Sequence, residues 1–174
     1  MMRLGEAITK LKLLLMISLL ASTNVSHATI TADLKPVGEA TLKWMFMDIY
    51  NASLYSRTGN YQELHYPQAL TIHYHKNIDR QRLIDATREQ WQQQQLNAAL
   101  YKPWLSQLTL IFPDVKEGDR LTFYVSEQGE GFFYYNQVPV GGIQHPDFAA
   151  AFLGIWLARN TALPSLRKQL IGEQ

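Results

Sequence analysis

The chain contains no cysteine. That excludes a disulfide framework, a thiol nucleophile and a lipid anchor, which needs a cysteine at the cleavage point. No G-x-S-x-G elbow and no glycine-rich phosphate loop is present, so a serine-hydrolase or nucleotide-binding reading has nothing to stand on. Aspartate and glutamate are scattered, and no pair can be chosen for acid–base work from spacing alone. No strong excess of either charge is seen: 16 Lys and Arg face 15 Asp and Glu. Without a basic stripe, nucleic-acid binding is not expected, and without a polybasic patch neither is electrostatic attachment to anionic lipid. Long apolar runs are missing too. The run Leu13–Ala21 has nine residues, against about 20 for a spanning helix.

That short run has a different meaning. Arg3, Lys10 and Lys12 precede it, and Ser26-His27-Ala28 offers small residues at the two positions a signal peptidase reads. Residues 1–28 read as a secretory signal peptide and 29–174 as the mature chain, with the periplasm or the exterior as its destination. The leader carries three of the 16 basic residues and one of the 15 acidic ones, so the mature charge is 13 against 14, a net −1. The 146 residues left are enough for one domain that buries roughly two-thirds of its unfolded surface.

What the chain has in quantity is aromatic and branched side chains in strand-like order. Thr41–Arg57 (TLKWMFMDIYNASLYSR) has no glycine or proline and alternates with period two. Leu42, Trp44, Phe46, Asp48 and Tyr50 fall on one face, and Lys43, Met45, Met47, Ile49 and Asn51 on the other. Apolar residues on both faces predict a central strand, covered on both sides or lining a cleft, with Ala52–Arg57 continuing it or starting its partner. Thr29–Val37 is read as a first strand or extended arm ended by Pro36, and Tyr61–Pro67 as a loop or short helix. Ala69–Lys76 is a further strand, with Thr71, His73 and His75 on one face.

Asp79 is placed as the N-cap of a helix from Arg80 to about Leu96, burying Leu83, Ile84, Thr87 and Trp91. Asn97–Phe112 is a second helical stretch, in which Pro103 marks a fresh start. Arg120–Ser126 and Gly131–Asn136 form a hairpin, Val138–Val140 a short third strand, and Gly141-Gly142 a turn. Helices at about Pro146–Arg159 and Ser165–Leu170 close the chain, the last stopped by Gly172. Strands early and late, with helices between and after, give an α+β class: an antiparallel sheet with helices on one face.

Two constellations could carry chemistry. His73 and His75, with His65 as a third, have a spacing that allows one metal ion, although two histidines on a polar strand face equally describe a solvated sheet edge. Neither a metal nor a cofactor is assigned. The aromatics fill the core, or, where the helices leave a gap, line an apolar pocket with a few hydroxyls. Asp48 is either a strand end reaching water or a buried acid in that cleft.

In order along the chain, Asp48-Ile49-Tyr50-Asn51-Ala52-Ser53-Leu54-Tyr55, Lys116–Thr122, Asn136 with Gly141-Gly142-Ile143, Asp147–Leu157 and Leu166–Gly172 resemble the chalcone isomerase-like superfamily in its bacterial secreted branch. The resemblance implies an open-faced β-sandwich, a large antiparallel sheet with a helical layer and a cleft between. It also implies either flavanone-ring closure or fatty-acid binding without catalysis. The isomerases' arginine near the start of the central strand has no match in Gly38–Leu42. Their strand threonine falls at Tyr50. Their helix tyrosine finds no match among Arg80, Gln81 and Arg82, and their C-terminal helix threonine falls at Ile155. A fold does not carry a function whose site it lacks.

The expectation is therefore a binder of an apolar or amphipathic small molecule. Trp44, Phe46, Tyr50 and Trp91 supply apolar wall, and the Tyr50 hydroxyl, with Lys43 or Arg80, meets a polar head. The alternatives are an isomerase or lyase acting on an aromatic substrate, with Tyr50 as acid and Asp48 nearby, and a partner-binding module with a filled cleft.

Overall fold

The computed structural model describes residues 29–173. The leader reading, residues 1–28, lies outside the described residues. Six strands form one antiparallel sheet in sequence order: β1 (Lys35–Trp44), β2 (Met47–Ser56), β3 (Gln68–Tyr74), β4 (Arg120–Val125), β5 (Gly131–Tyr135) and β6 (Val138–Ile143). Two helices, α1 (Arg80–Gln93) and α2 (Ala98–Ile111), join β3 to β4; α3 (Phe148–Leu157) and α4 (Pro164–Leu170) follow the sheet. All the helices pack on one face, so the architecture is the expected α+β open-faced sandwich. Among the described residues no helix is long and apolar enough to cross a membrane.

Register explains which face is covered. Leu42 pairs with Tyr50, Tyr50 with Tyr74, Ala52 with Ile72 and Ile72 with Leu121, and Phe123 with Phe133. Strand periodicity sends that set to the helical side, where most of it is buried. The set between them, Asn51, Ser53, Thr71, His73, Arg120 and Thr122, faces away from the helices. One face apolar and one polar is the pattern of a sheet covered on one side only.

The long strand predicted over Thr41–Arg57 is instead a hairpin. β1 ends at Trp44, Met45 and Phe46 turn, and β2 begins at Met47. The turn was hidden because it holds no Gly, Asn, Asp or Pro, the residues that usually mark one. Both faces read as apolar because the tip projects from the molecule. Extra twist comes from a bulge below the tip: Lys43 pairs with Asp48 but Leu42 with Tyr50, leaving Ile49 unpaired.

Three further expectations are corrected. Gly141-Gly142 is not a turn but lies within β6. A Cβ on Gly141 would stand 3.0 Å from Ile111, and one on Gly142 would stand 2.5 Å from the Gly131 carbonyl oxygen. The turn is Asn136-Gln137, both at positive φ, a pair suited to a two-residue hairpin. Pro103 does not restart a helix but sits inside α2. Tyr101, Trp104, Leu105 and Leu108, buried on both sides of it, hold the helix together across the missing hydrogen bond. Pro36 likewise does not end the first segment. It lies within β1, at the sheet edge, next to an irregularity in the register.

The α1 start is as predicted. The Asp79 carboxylate accepts from the Arg82 backbone N–H at 2.9 Å. Asn97 caps α2 in the same way, through Ala99 N–H at 2.9 Å.

Candidate functional site

The helical layer does not meet the sheet evenly. Between β1–β5 and the helices α1 and α3 lies a cleft of about 510 Å³. Leu42, Ile49, Tyr50, Ile72 and Tyr74, with Leu121, Phe123 and Phe133 further along, form its sheet wall. Ile49 and Tyr50 are sequence neighbours and would face opposite ways in a regular strand; the bulge at Ile49 lets both reach the same space. The helical wall carries Leu83, Ala86, Thr87 and Gln90 from α1, and Phe152, Ile155 and Trp156 from α3. Ala86 and Thr87 are short, and the Thr87 hydroxyl turns back to donate to the Leu83 carbonyl oxygen at 2.8 Å. A helix face with short residues in its centre leaves room where a longer side chain would close it.

The cleft has few polar atoms. The Trp156 indole N–H donates to the Tyr50 phenol oxygen at 2.9 Å, which leaves the Tyr50 O–H without an acceptor among the described residues. Burial pushes the Tyr50 pKa up to about 12, against the lowering effect of Trp156. Tyr74 is raised further, by burial first and then by Tyr50; the two rings meet edge to face at 6.3 Å. Both phenols are therefore neutral donors at ordinary pH. The Gln90 Oε1 is buried with no donor. Cations stand at the mouth: Lys76 and Arg82 line the cleft and are exposed. Arg82 also pairs with Asp79 at 3.3 Å, while Lys76 makes no ion pair among the described residues.

Of the six residues expected to form the site, the structure brings only Tyr50 to the cleft. Trp44 and Phe46 stand at the hairpin tip, Phe46 fully exposed. Lys43 is there too, paired with Asp48 at 2.9 Å. That pair holds the Asp48 carboxyl below its ordinary value, so Asp48 is a surface carboxylate and not an acid beside Tyr50. Arg80 is held outside the cleft: its backbone N–H donates to Asp114 at 2.7 Å and its guanidinium to the Thr109 carbonyl oxygen at 3.3 Å. Trp91 is wholly buried. It donates to the Ala151 carbonyl oxygen at 2.9 Å and packs on Tyr101, Trp104 and Phe148, so it belongs to the core.

Gln90, Lys76 and Arg82 were not singled out by sequence reasoning. Their signal was available only in part: Ala86 and Thr87 on the inward stripe of α1 mark where a helix fills poorly.

The histidines lie on the other side. His73 and His75 meet edge to face at 5.1 Å, and His73 borders a polar groove of about 340 Å³ with Glu39, Asn51, Thr71, Arg120 and Thr122. His65 sits in the loop before β3. Among the described residues no three His, Asp or Glu side chains gather as a metal site.

Comparison with known proteins gives three findings. The family model described as chalcone isomerase-like matches residues 22–172. An uncharacterized protein of Haemophilus influenzae is 31% identical over 139 residues, which is 80% of this chain and 68% of that protein. The crystal structure of a fatty-acid binding protein from Arabidopsis thaliana superposes with a TM-score of 0.64, covering 83% of this chain and 89% of the other at 9% identity. At that identity the likeness shows a shared fold.

Proposed function

The chain belongs to the chalcone isomerase-like family, and we propose that it is a non-catalytic periplasmic protein that holds an apolar or amphipathic small molecule, fatty-acid-like in character, in the sheet–helix cleft. The observation that carries this reading is the cleft itself. Its 510 Å³ lies within the roughly 300–1,000 Å³ of small-molecule sites. Its inner walls are aliphatic and aromatic, so a hydrocarbon tail entering it gains about 0.8 kcal/mol per methylene. Its charges are confined to the mouth, where Lys76 and Arg82 suit the head of an acid. A solved fatty-acid binding protein shares the fold, which supports the ligand class at the level of architecture. The periplasmic part of the proposal rests on the leader read in residues 1–28.

An isomerase or lyase reading is less well supported. Tyr50, raised to about 12, is a reluctant acid at neutral pH. No carboxylate lines the cleft to assist it. The open volume also weighs against a module with a filled cleft.

The test is native mass spectrometry of the protein taken from the periplasm, with lipid extraction of the same sample. The expected result is a stoichiometric fatty or aromatic acid on a chain whose mass lacks residues 1–28. Substituting Lys76→Ala should weaken binding of a long-chain acid by about three- to tenfold while leaving the matching alcohol unchanged. A clean apo mass, with no shift on adding either class of acid, would sink the reading.

A further inference from the structure

We infer that the β1–β2 hairpin tip docks reversibly on a lipid bilayer surface and that the cleft loads and unloads there; the loading step rests on the cleft reading above. The tip is Trp44-Met45-Phe46-Met47, and these four residues are 66%, 79%, 102% and 47% exposed. The other exposed large apolar residues, Leu64, Leu110 and Val138, fall on separate elements and are the ordinary scatter of a protein surface. Here four are consecutive. Met45 sits at φ 54°, in the left-handed region that glycine adopts freely. The turn therefore keeps a large apolar side chain where glycine would relieve it.

The shape and chemistry of the tip favour a bilayer over a protein partner. Four such side chains offer on the order of 500 Å², short of the roughly 800 Å² that each side of a stable protein interface buries. A convex tip needs a partner with a matching pocket, whereas a bilayer accepts it from any direction. Tryptophan belongs at the headgroup level, and Phe and Met suit the acyl boundary beneath it. So few inserted groups give a reversible contact, not an anchor.

Continuity with the cleft supplies the second line. Leu42, two residues before Trp44, and Ile49, two after Met47, both line the cleft. The His75 backbone N–H donates to the Ile49 carbonyl oxygen at 2.9 Å, which places Lys76 one residue beyond that rung. Lys76 and Arg82 at the mouth stand where the acid head of an incoming ligand first meets the chain. An amphipathic ligand, poorly soluble as a free molecule, would pass from the bilayer to the cleft without crossing water.

The experiment uses the chain as isolated from its producing cells and vesicles of phosphatidylethanolamine and phosphatidylglycerol with brominated acyl chains, which quench nearby tryptophan. Trp91 and Trp104 are buried and Trp156 lines the cleft, so Trp44 reports on the tip, and the part of the quenching that is lost in Trp44→Ser is the tip's own. With Trp44 kept, Phe46→Ser combined with Met47→Ser should raise the lipid needed for half-quenching by about tenfold or more. The same samples are titrated with a soluble fluorescent fatty acid, which these tip variants should bind as the parent does. Cleft binding without quenching overturns docking and leaves the cleft reading intact. Quenching without cleft binding upholds docking and sinks the cleft reading. A tip that stays out of every vesicle yet crosslinks to one defined protein overturns the lipid surface as its occupant.

Discussion

The space between sheet and helices has two ends built from the same kind of residue, one solid and one hollow. At the solid end Trp91, Trp104 and Phe148 pack with ring centroids 5.5–6.4 Å apart. Phe148 in turn packs on Phe123, Phe133 and Phe152, which border the cleft from that side. At the hollow end Tyr50, Tyr74, Phe152 and Trp156 stand around open volume. Aromatic content does not separate core from cleft. The difference comes from the opposing helical residues: Trp91, Trp104 and Phe148 fill one end, while at the other α1 offers Ala86 and Thr87. Open space in this fold is set by short side chains on a helix more than by long ones on the strands.

The largest expected effect lies at the solid end. Phe148 is fully buried and does not line the cleft. Substituting Phe148→Ala should cost about 3–5 kcal/mol of stability through lost transfer energy and an unfilled cavity. Urea unfolding measures it. Ligand affinity of the folded fraction should stay as it was; a parallel loss of affinity would show that the two ends are mechanically one.

At the hollow end the largest effect is alkaline. The Tyr50 pKa is about 12 in the folded chain against 10 unfolded. Between those values the native state holds a proton that the unfolded state has released, so stability falls as pH rises through that window. The stabilisation is fully present below pH 10. Its full loss, above the folded value, amounts to about 2–3 kcal/mol. Melting followed from pH 9 upward should show the fall, and Tyr50→Phe should flatten part of it, with Tyr74 supplying the remainder. A wild-type curve no steeper than that of Tyr50→Phe would mean Tyr50 is solvated and the hollow end wet.

Much of the buried layer was legible from sequence. Ile84 and Trp91 on α1, and Phe148, Phe152 and Ile155 on α3, recur at helical spacing, and the structure buries all of them. Asp79 announced its helix because a short acidic side chain before an apolar stripe satisfies the free backbone N–H groups. The hollow end was less legible because a cavity is a property of facing surfaces, and periodicity reports only one surface at a time. Tyr50 was found because an aromatic hydroxyl in a strand is conspicuous. Gln90 was passed over because an amide on a helix carries no sign in the sequence of whether it faces water or a cleft. Trp44 and Phe46 were placed in the cleft wall because period-two alternation continues through a tight turn without any break in composition.

A smaller effect comes from filling the hollow end. Leu83 lines the cleft from α1 and is only partly buried. Leu83→Trp should extend the solid end into the open volume and weaken ligand binding about tenfold, equal to about 1.4 kcal/mol. Stability should hold or rise slightly, since the new side chain gains contacts without displacing packed ones. Isothermal titration with a long-chain acid measures the affinity. Unchanged affinity would place the ligand elsewhere, with the polar groove on the opposite sheet face as the first site to examine.

The smallest effect is also the most discriminating. The Gln90 Oε1 is a buried acceptor with no donor, which leaves a desolvation cost unreturned in the empty protein. Gln90→Leu keeps the approximate shape and removes that cost, so the apo protein should gain about 0.5–1 kcal/mol. Its effect on ligand affinity has a sign that reports orientation. If the ligand head stays at the mouth with Lys76, only hydrocarbon lies near residue 90 and the leucine variant binds as well or better. If the head is carried inward, a hydroxyl or protonated acid there would donate to Gln90 and accept from the free Tyr50 O–H. The variant would then bind several-fold more weakly, and Tyr50→Phe would share the loss. Titrations of the two variants with an acid and with its alcohol therefore decide whether the phenols of the hollow end serve as a polar site or only as wall.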